Sequence, residues 1–168
     1  MTILVYIRPL ELKDAQTSYL WRNNSKLWIY TNFKPKDYIT PEMETKWLMG
    51  TLNKPDQRRF AICVKELDTY IGNVQLLNIN EQSAELHLFI GNELYWNMGV
   101  GYQATKLIVE YGFLKKRLKE IYLKVHPANL PALYLYEKAG FNITGKKDGL
   151  ILMTITRKPT YSNVSHNI

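Results

Sequence analysis

WNMGVGYQATKL, residues 96–107, sets two glycines, Gly99 and Gly101, one residue apart at the mouth of an amphipathic segment. Beyond them Ala104, Leu107, Ile108, Tyr111, Leu114 and Leu118 recur at helical spacing, and Lys106 and Glu110 stand four apart for a surface ion pair. The spacing predicts a helix over residues 102–118 opened by a glycine turn. A helix start carries amide N–H groups without partners inside the helix and the positive end of the dipole. Glycines there let an anion reach the backbone, so phosphate is the chemistry the stretch favours. A turn that merely starts a helix would use the same residues.

The run from Gly99 to Ala104 fits the G-x-G-x-x-A form of a dinucleotide loop, but its surroundings do not. NELYWNM stands between the preceding strand and the first glycine, and no acid closes the next strand, IYLKV, to hold a ribose. A nucleoside-triphosphate loop is excluded, because no Gly-Lys-Ser/Thr follows.

Working outward, residues 2–8 alternate as a strand, and residues 11–23 read as a helix with Leu12, Ala15, Tyr19, Leu20 and Trp21 toward the core. Thr40-Pro41 followed by Glu42 and Glu44 is the start of a helix that carries Trp47, Leu48 and Leu52. Residues 59–91 read as three strands with turns at 67–69 and 80–82, joined too briefly for anything but an antiparallel meander. Residues 121–125 form a strand, 130–138 a short helix, and 141–144 and 150–156 the last strands. The class is α/β: one domain over residues 1–158, with a mixed, mostly antiparallel sheet flanked by helices. PTYSNVSHNI, residues 159–168, is polar and unpatterned and is expected to be a mobile tail.

Composition narrows the function. At 168 residues, 46% hydrophobic and 22% charged, the chain suits one globular domain. No apolar run is long enough for a membrane span, and the N-terminus does not resemble a signal peptide, so a cytoplasmic protein with no membrane partner is expected. The single cysteine, Cys63, sits in FAICV and reads as a buried hydrophobe; no Cys/His spacing suggests a metal. The net charge of +7 suits an anionic ligand. Its densest cluster, Lys115, Lys116, Arg117 and Lys119, reads as a solvated helix end, and no nucleic-acid partner is expected.

The second half decides between readings of the glycine turn. HPANLPALYLYEKAGF, residues 126–141, places Asn129 seven residues before Tyr136, with Ala132 and Leu135 between and Gly140-Phe141 after. With the glycine turn upstream, this stretch resembles the GNAT family of acetyl-coenzyme A-dependent N-acetyltransferases. That family's phosphate loop has the form Q/R-x-x-G-x-G/A and its closing motif N-x-x-A-x-x-L-Y-x-K-x-G-F. The likeness runs over residues 6–156, and the Gln/Arg slot holds Trp96.

The resemblance implies a sheet with a V-shaped splay between two strands and acetyl-CoA as co-substrate. Its diphosphate would rest on the backbone of Met98, Gly99, Val100, Gly101 and Tyr102, with Gln103 beside them, and its pantetheine arm along the strand edge Leu88-Phe89-Ile90. An N–H of that strand would steady the developing oxyanion. Tyr136 would serve the departing thiolate as acid or hydrogen-bond donor; as a lone residue it reads equally as a core tyrosine. Asn129 either holds the pantetheine or caps its own helix. For the proton the amine must lose, Glu85 and His87 lie two apart on one strand face with Phe89. His126 stands near the site or makes a strand-end turn.

The acceptor is sought in YLWRNNSKLWIYTNF. Trp21-Arg22-Asn23, with Trp28 and Tyr30, resembles the opening of two branches: ribosomal-protein N-terminal and polyamine-like acetyltransferases, and enzymes that acetylate nucleotide-linked aminosugars. Trp21, Arg22 and Tyr30 are the substrate-binding candidates, by stacking and phosphate pairing; Trp21 and Trp28 read equally as cover for the sheet. A small-molecule amine such as an aminosugar nucleotide is the leading acceptor, with a peptide N-terminus or polyamine next. A non-catalytic acyl-CoA sensor is the reading from another class. A homodimer could form by pairing edge strands such as 150–156.

Overall fold

The computed structural model describes residues 2–31 and 34–159. The predicted tail, from residue 160 on, lies outside the described residues. Among the described residues seven strands form one sheet in the order β1-β2-β3-β4-β5-β7-β6: β1 (Val5–Pro9), β2 (Arg58–Val64), β3 (Thr69–Leu77), β4 (Ser83–Ile90), β5 (Glu120–Val125), β6 (Asn142–Lys147) and β7 (Leu150–Thr156). All neighbours are antiparallel except β4 and β5. Among the described residues the α-helices are α1 (Ala15–Arg22), α2 (Pro41–Thr51), α3 (Val100–Leu114) and α4 (Leu130–Lys138).

Alternation along the strands divides the core in two. Ile62 and Val64 join Ala84, Leu86, Ile108, Ile121, Tyr136 and Phe141 in the large cluster under α3 and α4. Ala61 and Cys63, one residue out of phase on β2, meet Ala15 of α1 and Leu48 of α2 in a smaller one. Cys63 is thus a buried thiol, and burial pushes its pKa up. Local signals fix the helix starts. Thr40 Oγ1 accepts from the Met43 amide at 3.2 Å with Pro41 in the first turn, and Asn129 Oδ1 accepts from the Ala132 amide at 3.3 Å with Pro131 beside it.

Three expectations change. The segment 11–23 is a 3-10 turn (Leu12–Asp14) followed by α1. Asp14 draws the chain inward, since its carboxylate takes Arg8 Nη2 at 2.7 Å and the Glu11 amide at 2.8 Å. The inward face is then Ala15, Ser18 and Trp21, while Leu12 and Leu20 lie exposed. Helix α3 starts two residues earlier than expected and stops at Leu114; Arg117, at φ 56°, turns the chain so that Leu118 enters the core from the loop. Strand 150–156 lies between β5 and β6, so it is not an edge for a second copy; the edges are β1 and β6.

Candidate active site

Strands β4 and β5 are in register only at Ser83↔Glu120, Ala84↔Ile121 and Glu85↔Tyr122. Past Glu85 they part, and the end of β4, Leu88-Phe89-Ile90, pairs with β3 alone. This is the V-shaped splay, with one strand edge open along it. Trp96, from the loop before α3, donates its indole N–H to the Ile90 carbonyl at 2.8 Å. That carbonyl is therefore taken, and the loop is tied to the end of the open edge. The sequence signal was the occupant of the Gln/Arg slot: tryptophan keeps an N–H donor at the end of a long side chain.

Gly99 caps α3 at φ 75°, in the left-handed region that suits glycine. The first helical bond runs from the Gln103 amide to the Gly99 carbonyl at 3.2 Å, so the amides of Val100, Gly101 and Tyr102 point out of the helix end. Met98 is half exposed at the rim, and Val100 buries its side chain in the core, leaving only its backbone to face a ligand. A Cβ on Gly101 would lie 2.8 Å from Leu135 Cδ1 and 3.5 Å from Leu88 Cδ2. Gly101 therefore lets α3 close on α4 and β4, a packing reason separate from ligand approach. Gln103 departs from its expected place: its side chain accepts from the Val5 amide at 3.2 Å and donates to the Ile3 carbonyl at 2.7 Å. With its amide also engaged, it anchors the N-terminal strand. Lys138 Nζ lies 4.8 Å from the Tyr102 ring centroid, adding positive charge beside the helix start.

Tyr136 is more than nine-tenths buried, edge-on to Phe141 at 5.8 Å between centroids. Among the described residues its hydroxyl has no hydrogen-bond partner, yet every fully buried side-chain nitrogen or oxygen there has one. The oxygen must therefore reach open space from an otherwise buried ring. Burial raises its pKa, so it stays protonated and can donate at neutral pH. Leu135, its neighbour on α4, touches the start of α3. Asn129 caps α4 through Oδ1, so capping is realised.

On the opposite face of β4 lie Glu85, His87 and Phe89. Glu85 sits where the strands part. Its Oε1 is 3.2 Å from His87 Nε2 and 3.3 Å from Lys124 Nζ of β5, and its Oε2 accepts from Asn78 Nδ2 at 3.2 Å. The His87 hydrogen bond, helped by Lys124, holds this carboxyl down at about 2 although burial opposes it. So weak a base, with both oxygens engaged, is poorly suited to take a proton from an amine. It is well placed to fix the imidazole of its neighbour: with Nε2 tied to Glu85, His87 presents Nδ1, on a side chain 47% exposed.

The N-terminal aromatics separate into packing and lining residues. Trp21 is buried, 4.6 Å from Tyr70 and 6.0 Å from Phe89 between ring centroids, so it covers the sheet. Arg22 pairs with buried Glu44 at 3.1 Å and stacks 4.2 Å from the Trp47 centroid; its charge is met within the protein, which leaves it poorly placed as a phosphate ligand. Trp28 lies 5.7 Å from Phe89 at the end of β4, and Tyr30 lies 5.6 Å from His126 just past β5. The segment 28–30 therefore bridges the two arms of the V. His126 Nδ1 also accepts from the Ala128 amide at 3.1 Å, which makes it a strand-end turn residue.

Outward amides at a helix start, an open strand edge and an unpartnered phenol are a donor set that fits a diphosphate, an amide-bearing arm and a sulfur. Residues 5–142 match the acetyltransferase (GNAT) domain family. The chain belongs to that family. A probable N-acetyltransferase, YjcK of Bacillus subtilis, is 29% identical over 84% of this chain and 82% of its own length. The spermidine N(1)-acetyltransferase of Escherichia coli is 31% identical over 84% of this chain and 75% of its own. The crystal structure of the Vibrio cholerae spermidine N-acetyltransferase in complex with CoA and spermine superimposes with a TM-score of 0.82 at 25% identity, over 95% of this chain and 98% of that one. This GNAT protein is an acetyltransferase that uses acetyl-CoA. Among the described residues no cluster could hold a metal ion and no helix is long and apolar enough to cross a membrane.

Proposed function

We propose that this enzyme acetylates the primary amine of a small molecule, an aminosugar nucleotide being the leading example, by direct attack within a ternary complex. The observation that carries the reading is the Tyr136 hydroxyl: borne on a buried ring, protonated, without a partner among the described residues, on a helix packed against the start of α3. A sensor without turnover would have no need for such a donor.

Acetyl-CoA supplies the activated acyl group. The amides of Val100, Gly101 and Tyr102 would hold its diphosphate, with Gly99 and Met98 shaping the turn, and Leu88, Phe89 and Ile90 would offer their strand edge to its arm. An N–H of that edge would stabilise the oxygen on which charge develops. His87, oriented by Glu85, would take the amine's proton directly or through water. Tyr136 would donate a hydrogen bond to the departing sulfur. Trp28, Tyr30 and Phe89 would wall the acceptor side.

The spermidine-acetylating relatives support a polyamine acceptor as the second reading. Thiol release from acetyl-CoA, measured with aminosugar nucleotides, simple amines, polyamines and peptides, tests the proposal. Acceptor-dependent release is expected; binding of acetyl-CoA without release for any amine would leave only the sensor.

A further inference from the structure

On the face of the sheet that carries His87, the register of β2, β3 and β4 sets Arg59, Gln75 and His87 side by side in one row. Residues directly opposite on neighbouring strands share a face, with Cβ atoms about 5 Å apart. Arg59 is held from several directions. Its Nε and Nη2 donate to Gln57 Oε1 at 3.1 and 2.9 Å, and its Nη1 donates to Gln75 Oε1 at 2.7 Å. The guanidinium also lies 5.0 Å from the Trp47 ring centroid. A guanidinium can only donate, so the Gln75 carboxamide must turn its oxygen toward Arg59 and its NH2 away from it. That NH2 has no hydrogen-bond partner among the described residues, although Gln75 is half-buried beside His87. The charges nearby answer one another, Glu85 with Lys124 and Glu44 with Arg22. A neutral donor is what this row leaves for a ligand.

We propose that Gln75 determines acceptor specificity by donating a hydrogen bond to a neutral oxygen of the acceptor, a hydroxyl, ether or carbonyl a few bonds from the amine that reaches His87. This rests on the amine-acetylation reading and narrows its substrate class. Because Gln75 and His87 are opposite one another on adjacent strands, one aminosugar ring or amino alcohol can span both. A polyamine has nothing to give this donor: each nitrogen that is not reacting is protonated at neutral pH and only donates. Donor would face donor, and the carboxamide cannot flip to relieve it without breaking its bond to Arg59. An acceptor oxygen instead extends a chain in which Arg59 polarises the amide and the amide gives to the ligand.

The test compares kcat/KM for thiol release in the wild type, Gln75→Glu and Gln75→Met. Methoxyethylamine and butylamine match in length, and the ether oxygen of the first only accepts. The two differ in basicity, but equally for every variant, so the change in their ratio reads the contact. Gln75→Glu keeps an oxygen on Arg59 and puts a second acceptor where the NH2 was. There the methoxyethylamine-to-butylamine ratio should fall about tenfold, through a raised KM for the ether, and spermidine should gain on both. Gln75→Met should lower the ratio by a similar factor without the gain for spermidine. Glucosamine and cyclohexylamine form a second pair, read in Gln75→Met. Should that variant fail to fold because Arg59 loses a partner, Gln75→Glu decides. An unchanged ratio in a folded variant would overturn the assignment of Gln75 alone. So would a wild type that prefers spermidine to every oxygen-bearing amine, a comparison that needs no variant. Thiol release with no amine, while acetyl-CoA still raises Tm, would overturn the transfer reading and this inference with it.

Discussion

On the α3 side of the gap between β4 and β5, most of the working groups belong to the backbone: amides at a helix start and the edge of a strand, joined by the Tyr136 phenol. On the opposite side they are side chains that hold one another, Glu85 with His87 and Lys124, Trp21 with Tyr70 and Phe89, Arg22 with Glu44. A backbone site asks only that certain residues stay small and certain angles be reachable. A side-chain site asks for partners from four or five elements at once. The first tolerates Trp96 in the slot of a polar residue; the second should tolerate little.

The largest effect should therefore fall on the side-chain face, at Gly91. A Cβ there would lie 2.0 Å from the Trp21 ring, which Tyr70 and Phe89 hold in place. Gly91→Ala should cost about 3 kcal/mol of stability by urea unfolding, because a rigid ring has nowhere to go. An alanine that costs nothing would mean the face is loosely packed and the contrast unfounded. Next comes Tyr136→Phe, which removes one oxygen without a partner and so should barely change stability. Turnover should fall about 100-fold while acetyl-CoA affinity by calorimetry stays within about threefold. Equal loss in both would make Tyr136 a cofactor contact only.

The same contrast explains what could be read from the sequence. The glycine turn, the existence of the helix behind it and the Asn129–Tyr136 spacing are local, and backbone geometry is encoded locally, so the turn at Gly99 and the α4 boundaries were legible, while both ends of α3 were misplaced. The Gln103 side chain was not, because its partners, Ile3 and Val5, lie about a hundred positions away. Arg22 was misjudged for a similar reason: beside tryptophans it suggested a phosphate ligand, but buried Glu44, on another helix, meets its charge. Helix α1 was placed out of phase because Leu12 and Leu20 outrank Ser18 in hydropathy. Ser18 goes inward to donate to Glu44 at 2.8 Å, a pairing no periodicity shows.

The mutual grip on Glu85 also makes this face pH-sensitive. Its carboxyl is held at about 2 in the folded protein against an ordinary 4.5. A lowered carboxyl stabilises fully above its unfolded value, and that contribution disappears as pH falls from about 4.5 toward 2. It should amount to roughly 2 kcal/mol, reduced by solvent around the half-exposed His87. Urea midpoints of wild type and Glu85→Gln should differ at pH 6 and converge toward pH 2. A constant difference over that range would show the carboxyl is not depressed.

The smallest effect should come from the backbone face, at Gly99, and it separates two reasons for a glycine. At φ 75° most side chains are strained, but nothing in the protein lies within 4 Å of where a Cβ would be. Gly99→Ala should therefore cost about 1 kcal/mol from backbone strain alone, and Gly99→Asn only a few tenths, because asparagine accepts left-handed angles. If glycine is there only for the angle, Gly99→Asn will keep both thermal stability and acetyl-CoA affinity. If it is there so that a diphosphate can reach the amides, the asparagine variant will stay equally stable yet bind the cofactor about tenfold more weakly, because its side chain fills space that only the ligand uses. The second outcome is expected, since the amides of Val100, Gly101 and Tyr102 leave the helix at that point.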